Sequence, residues 1–247
     1  MKAKTHPTFF PSIIKCFVAH SLYFASLSKS MSLSSTSKIK RIFCYGDSLT
    51  EGTSPPLFES FPYAPHLESS LRQKLPMHDI KVDWFGLPGW TASSMVDNLA
   101  SSQGLTYLLN QATPKPDLVI LLCGTNDLGY QPPPDSDPTK ISNSIMKLHE
   151  VAHEYGSPTI AISIPPSAWQ ASSNHARNLA QGINTCLEEF CSSSKKNAVF
   201  VPFPIPNFGK YDDGEDVWCP DGLHFSPRGY QVLGEYLSSH VTEILDC

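Results

Sequence analysis

The sequence predicts an α/β protein, a three-layer α/β/α sandwich around a parallel sheet, and three observations carry that prediction. Five short segments are apolar along nearly their whole length, the pattern of strands covered on both faces. Between them lie stretches whose apolar residues recur every three or four positions, as on helices that lie against a sheet. Strand and helix alternate along the chain, which is how such layered folds are wound.

The strands are expected at Arg41–Tyr45, Ile80–Phe85, Asp117–Cys123, Thr159–Ile164 and Ala198–Phe203, each followed by a polar or Gly/Pro-marked loop. Helices are expected at Tyr63–Leu75, where Leu67, Leu71 and Leu75 share a face, and at Ile141–Tyr155, with Ile141, Ile145, Leu148 and Ala152. Two more follow at Asn178–Ser192 (Leu179, Ile183, Leu187, Phe190) and Arg228–Ile244 (Tyr230, Leu233, Leu237, Val241, Ile244), with Pro227 near the start of the last. Gln131–Pro138, with its four prolines, reads as an exposed loop that is neither helix nor central strand. No internal repeat is present.

Residues 1–38 stand apart from the core domain, 39–247. Before Lys40 there is no acid, while serines and lysines recur. That composition resembles an organelle transit peptide, for a mitochondrion or plastid, although arginine is missing. A disordered extension, a degenerate secretory signal and initiation at Met31 are the competing readings. Lys15 precedes and His20 follows the apolar stretch at Phe17-Val18-Ala19, so no run approaches the roughly 18–20 residues of a membrane span.

Charge excludes one class of partner. With 18 basic against 23 acidic residues and a net charge of -5, no basic surplus exists to neutralise nucleic-acid phosphates. The seven cysteines are scattered and odd in number in a chain long enough to build a core, so they read as reduced thiols, with Cys44 and Cys123 as small buried hydrophobes. Cys219 with His224 is too sparse a pair to hold zinc, and the acidic run Asp212–Asp216 lacks calcium-loop spacing, so no metal site is expected.

In open α/β folds ligands bind beyond the carboxyl ends of the strands. After the first strand comes Gly46-Asp47-Ser48-Leu49, which puts a serine on a tight, exposed turn. Gly86-Leu87-Pro88-Gly89-Trp90 follows the second strand and Gly124-Thr125-Asn126-Asp127 the third. A glycine N–H and an asparagine amide are the donors that a developing oxyanion needs. Ahead of the last helix stands Asp221-Gly222-Leu223-His224, whose spacing lets one turn bring a carboxylate to the far nitrogen of the imidazole. His149 and His153, inside a helical stretch, read as solvated or packed side chains.

Taken together, these blocks resemble the SGNH hydrolase superfamily, the GDSL-type esterases and lipases, from Lys40 to the C-terminus. The resemblance implies a flavodoxin-like sheet of order 2-1-3-4-5 and a serine hydrolase cleaving carboxylic esters. Ser48 would be nucleophile, His224 general base and Asp221 its orienting acid. The oxyanion hole would use the N–H of Ser48, the N–H of Gly89 and the side chain of Asn126, with Gly86 the competing glycine. No cofactor is implied.

The partner expected is a small-molecule ester, small acyl or aryl esters being favoured because no long lid-like insertion is evident. Lysophospholipid, thioester and acetylated-sugar substrates stay open, and oligomeric state is not legible. Phe58, Trp90, Trp169, Trp218 and Phe225 either line an apolar pocket or belong to the core. The alternative is a flavodoxin-like phosphate or nucleotide binder using Ser48–Thr53. Asp47 and Glu51 oppose it, since carboxylates beside the loop would repel phosphate.

Overall fold

The computed structural model describes residues 39–57, 59–130, 136–193, 197–205, 207–209 and 216–245. The N-terminal extension and its targeting reading, Cys16, Cys247, Phe58, the segment 131–135 and most of the acidic run lie outside these residues. Five strands form one parallel sheet: β1 (Ile39–Asp47), β2 (Asp79–Leu87), β3 (Leu118–Leu122), β4 (Thr159–Ile162) and β5 (Ala198–Val201). Their order is β2-β1-β3-β4-β5, as the resemblance implies.

The sheet's two faces feed two cores. Along β3, Leu118, Ile120 and Leu122 enter one core and Val119 and Leu121 the other, the period-two alternation of a strand with both faces covered. The first core is closed by α2 (Ala64–Lys74), through Leu67 and Leu71, and by α9 (Pro227–Leu245), through Tyr230, Leu233, Leu237 and Val241. The second is closed chiefly by α6 (Pro138–Glu154), through Ile141, Ile145 and Leu148, and α8 (Asn174–Ser193), through Leu179, Ile183 and Leu187. These four helices are the ones read from periodicity.

The structure corrects the sequence reading in three places. β2 lies at the sheet edge and is buried only in part, with Lys81 exposed on one face and Trp84 on the other, so the expected continuous burial does not hold there. Pro138 is not loop but the first residue of α6, where proline is favoured because its missing N–H has no intrahelical acceptor. Asp137 caps that helix by accepting the Thr139 N–H at 2.9 Å. Five short helices also went unread: α1 (Ser48–Glu51), α3 (Ala92–Asp97), α4 (Leu105–Gln111), α5 (Asp127–Tyr130) and α7 (Ala168–Ser172). None is long enough to display an apolar repeat. Among the described residues, no helix is long and apolar enough to cross a membrane.

Candidate active site

The expected site residues all follow strand ends or lie in the loop before α9. β1 runs two residues further than expected, through Asp47, so that Ser48 is the first residue of α1. Asp47 caps this single turn by accepting the Leu49 N–H at 2.9 Å. Its side chain is fully buried, so it stands beneath the turn rather than beside a ligand.

At the second strand end the two glycines stand in different surroundings. Gly86 lies inside β2, and a Cβ there would fall 2.3 Å from the Glu51 nitrogen, so it serves the close approach of α1. Gly89 lies beyond the strand with φ +80 and open space around a notional Cβ. Trp90 N–H donates to the Leu87 carbonyl at 3.1 Å, and Pro88 and Gly89 occupy the central positions of that turn as a type II turn requires. The Gly89 N–H is not used by the turn bond and is available to a substrate oxygen.

Asn126 follows β3 and donates from Nδ2 to the Trp90 carbonyl at 2.9 Å. An amide nitrogen carries two hydrogens, so one fixes the side chain against the Gly89 loop and the other remains for an acceptor. Asp127, the next residue, is buried, and its Oδ2 accepts the Ala92 N–H at 2.9 Å. Burial is the main force raising both neighbouring carboxyls, Asp47 to about 7 and Asp127 to about 6; their backbone donors offset part of it, and the Asp127 charge adds to the rise at Asp47. Neither role follows from the sequence, in which Asp47 reads as a repelling charge and Asp127 has no assigned part. The signal present was an acid at capping distance from a strand end.

Asp221, Gly222, Leu223 and His224 lie in a loop closed by an antiparallel bridge between Trp218 and Phe225 and by the Cys219 N–H donating to the His224 carbonyl at 2.8 Å. Trp218 and Phe225 are core side chains with ring centroids 4.9 Å apart, so they anchor the loop and do not line a pocket. Gly222 has φ +68, and its carbonyl accepts the Ala168 N–H of α7 at 2.8 Å. Asp221 Oδ1 accepts the Leu223 and His224 N–H groups at 3.0 and 3.1 Å, which leaves Oδ2 to meet His224 Nδ1 at 2.6 Å. Burial alone would raise the Asp221 carboxyl, but these hydrogen bonds outweigh it and hold the group below the usual carboxylate range. His224 Nε2 then lies 2.9 Å from Ser48 Oγ.

Hydroxyl, imidazole and carboxylate thus form one hydrogen-bonded line, with Gly89 and Asn126 on the strand ends beside it. This is the geometry of nucleophilic acyl transfer: a base within reach of the hydroxyl proton, and a buttress that fixes the base's tautomer.

Of the other candidates, Trp90 is partly buried against the second core, while Trp169 on α7 is 42% exposed, its ring reaching 3.7 Å from the notional Cβ of Gly129 on α5. Cys44 and Cys123 are buried free thiols, with burial pushing Cys44 up to about 12 and Cys123 upward. Cys219 Sγ is engaged with Ser54 Oγ and the Phe225 carbonyl. Among the described residues no cluster of His, Cys, Asp and Glu has the makings of a metal site. His149 is packed, its Nδ1 2.7 Å from Thr159 Oγ1, and His153 Nε2 reaches the same hydroxyl at 3.0 Å.

A five-stranded parallel α/β/α sandwich with this line of side chains at its strand ends defines a serine hydrolase architecture. Residues 44–232 match the GDSL-like Lipase/Acylhydrolase family, and the chain belongs to that family. It is a carboxylic ester hydrolase. No curated protein matches it in sequence. Among solved structures it is similar to a carbohydrate acetylesterase from Sinorhizobium meliloti, at 21% identity and a TM-score of 0.60 over 83% of this chain and 99% of that one. It is also similar to the aryl esterase of M. smegmatis (23% identity, TM-score 0.60, 83% and 99% covered). The psychrotrophic esterase EstA of Pseudoalteromonas sp. shares the fold too (18% identity, TM-score 0.59, 84% and 100% covered).

Proposed function

We propose that the chain hydrolyses small acyl or aryl esters through an acyl-enzyme on Ser48. The reading rests on one observation, the continuous bonding from Asp221 Oδ2 through His224 to Ser48 Oγ at 2.6 and 2.9 Å. Ser48 Oγ bonds to the ester carbonyl carbon as His224 Nε2 takes its proton. The carbonyl oxygen becomes an oxyanion held by the Ser48 N–H, the Gly89 N–H and Asn126 Nδ2. Collapse breaks the bond to the alcohol oxygen, which leaves with the proton from His224. Water, deprotonated by the same imidazole, attacks the acyl carbon and returns Ser48 to its hydroxyl form with release of the carboxylic acid.

Two features support the substrate class. Trp169 presents an exposed ring beside α5, the helix that directly follows Asn126, and offers an apolar surface to an aryl or short acyl group. The solved structures similar to the chain include one described as an aryl esterase and one as a carbohydrate acetylesterase. The bonding of Ser48 to His224, and of His224 to Asp221, has no use in a phosphate loop and weighs against a nucleotide binder.

The test is hydrolysis of a p-nitrophenyl ester series, from acetyl to long acyl chains, by the full chain and by Ser48→Ala. Activity on the short esters that disappears in the variant is the expected result. Activity that survives Ser48→Ala would overturn the nucleophile, and preference for the longest chains would overturn the substrate class.

A further inference from the structure

An oxyanion hole works only when its donors are held in place before the charge develops, since reorganisation at the moment of reaction cancels their benefit. Gly89 is exposed, in a turn outside any helix or strand, so its own segment gives it little support. The loop from Leu87 to Ala92 is tied at three points. Trp90 N–H bonds the Leu87 carbonyl, Asn126 Nδ2 bonds the Trp90 carbonyl, and Asp127 Oδ2 takes the Ala92 N–H.

The third tie is not ordinary helix capping. α3 already has a cap, the Thr91 hydroxyl, which accepts the Ser94 N–H at 3.1 Å. Ala92 is fully buried, and without Asp127 its N–H would be a buried donor lacking an acceptor. Asp127 is itself 1% exposed, and its Oδ1 is buried with no hydrogen-bond partner. A charge so placed is costly in stability, and burial raises its carboxyl to about 6. Because Asp127 adjoins Asn126 in sequence, one dipeptide grips both ends of the Trp90–Ala92 segment, and moving it displaces Gly89 relative to Asn126.

We infer that Asp127 is a positioning residue of the ester-hydrolysis reaction, anchoring the Gly89 loop through the Ala92 N–H so that the Gly89 and Asn126 donors converge on the oxyanion. The inference rests on the Ser48 acyl-enzyme reading and adds to it a residue that touches no substrate. It acts on the charged tetrahedral state more than on the bound ester, so its loss falls on kcat and leaves KM nearly unchanged.

The experiment compares full-length wild type, Asp127→Ala, Asp127→Asn and Ala92→Pro. It measures kcat and KM on p-nitrophenyl acetate, the rate of serine phosphorylation by diethyl p-nitrophenyl phosphate, and thermal midpoints. Asp127→Ala should lower kcat and the phosphorylation rate together by about tenfold or more, below the roughly 10²- to 10³-fold seen for loss of a direct donor, with KM within threefold. Asp127→Asn, which keeps an acceptor oxygen, should recover most of both. Ala92→Pro deletes the donated N–H at a first helical position where proline is tolerated, and should reproduce the loss; it decides the question if Asp127→Ala does not fold. The inference is overturned if the variants that break the tie keep kcat, if KM rises in its place, or if Asp127→Asn falls as far as Asp127→Ala. Wild type that the organophosphate does not label at Ser48 overturns instead the nucleophile on which the inference rests.

Discussion

His224 Nε2 lies 2.9 Å from Ser48 Oγ although the two residues are 176 positions apart in the chain. The serine is placed by the end of β1 and the histidine by the loop before α9, whose Trp218 and Phe225 share the first core with Leu49, so the contact exists only when that core has formed. The orientation of the imidazole, by contrast, is local, set three residues away by Asp221.

Asp221→Asn tests that local control. With Oδ1 committed to two backbone donors, the amide nitrogen would face His224 Nδ1 and stabilise the tautomer carrying hydrogen on Nε2, which cannot accept the Ser48 proton. We expect kcat on p-nitrophenyl acetate to fall on the order of 10³- to 10⁴-fold with little change in KM. Because its hydrogen bonds hold Asp221 below the usual carboxylate range, any acid limb of the wild-type profile between pH 5 and 8 belongs to another group. A variant within tenfold of wild type would mean that Asp221 does not set the tautomer.

Gly86 and Gly89 should respond differently to alanine. At Gly86 the added methyl meets Glu51 backbone at 2.3 Å, an overpacking that costs about 1–3 kcal/mol, and the thermal midpoint should drop by about 2–4 °C for each kcal/mol. At Gly89 nothing lies within 4 Å, so the expected cost is the left-handed backbone strain of about 1–2 kcal/mol. The turn relaxes by moving the N–H, and kcat falls further than stability does. Thermal melts beside initial rates separate the two, and a Gly86→Ala protein that melts like wild type would contradict the packing role.

Trp169→Ala removes the exposed ring beside α5. KM for p-nitrophenyl acetate should rise several-fold, while kcat changes little because the residue touches no part of the hydrogen-bonded line. The rise should be smaller for an alkyl acetate than for the aryl ester. Equal KM values in both proteins would remove Trp169 from the substrate surface.

His149 gives the fold an acid sensitivity of its own. Burial first, and then the charge of His153, lower its imidazole from an ordinary value near 6.5 to about 3. The folded state therefore binds fewer protons than the unfolded chain below pH 6.5, and the stability His149 confers is fully present above that pH and lost as pH falls toward 3. His149→Gln, able to keep a bond to Thr159, should flatten the decline in thermal midpoint between pH 7 and 4. One proton limits the effect to about 1.4 kcal/mol per pH unit. Parallel melting curves would show that His149 is not the group responsible.

The layers and the reaction class are legible in the residue pattern alone. Long helices such as α6 and α8 show their buried face as a repeat, and β3 shows its double burial as an unbroken apolar run, because each pattern spans enough residues to be read locally. The site blocks were recognisable for a related reason: the resemblance rests on a glycine, serine, asparagine and Asp-x-x-His, each in fixed local order. Short helices such as α3 and α7 lack a full repeat, and the part-exposed edge position of β2 depends on which strands pair.

Other features come from long-range contacts. They set Gly86 against α1 and Gly89 on an open turn, sent Trp218 and Phe225 to the core while leaving Trp169 exposed, and gave Asp127 its donor at the start of α3. These are contacts between segments far apart in the chain, fixed by how the sheet brings its strand ends together. No local pattern of residues encodes them.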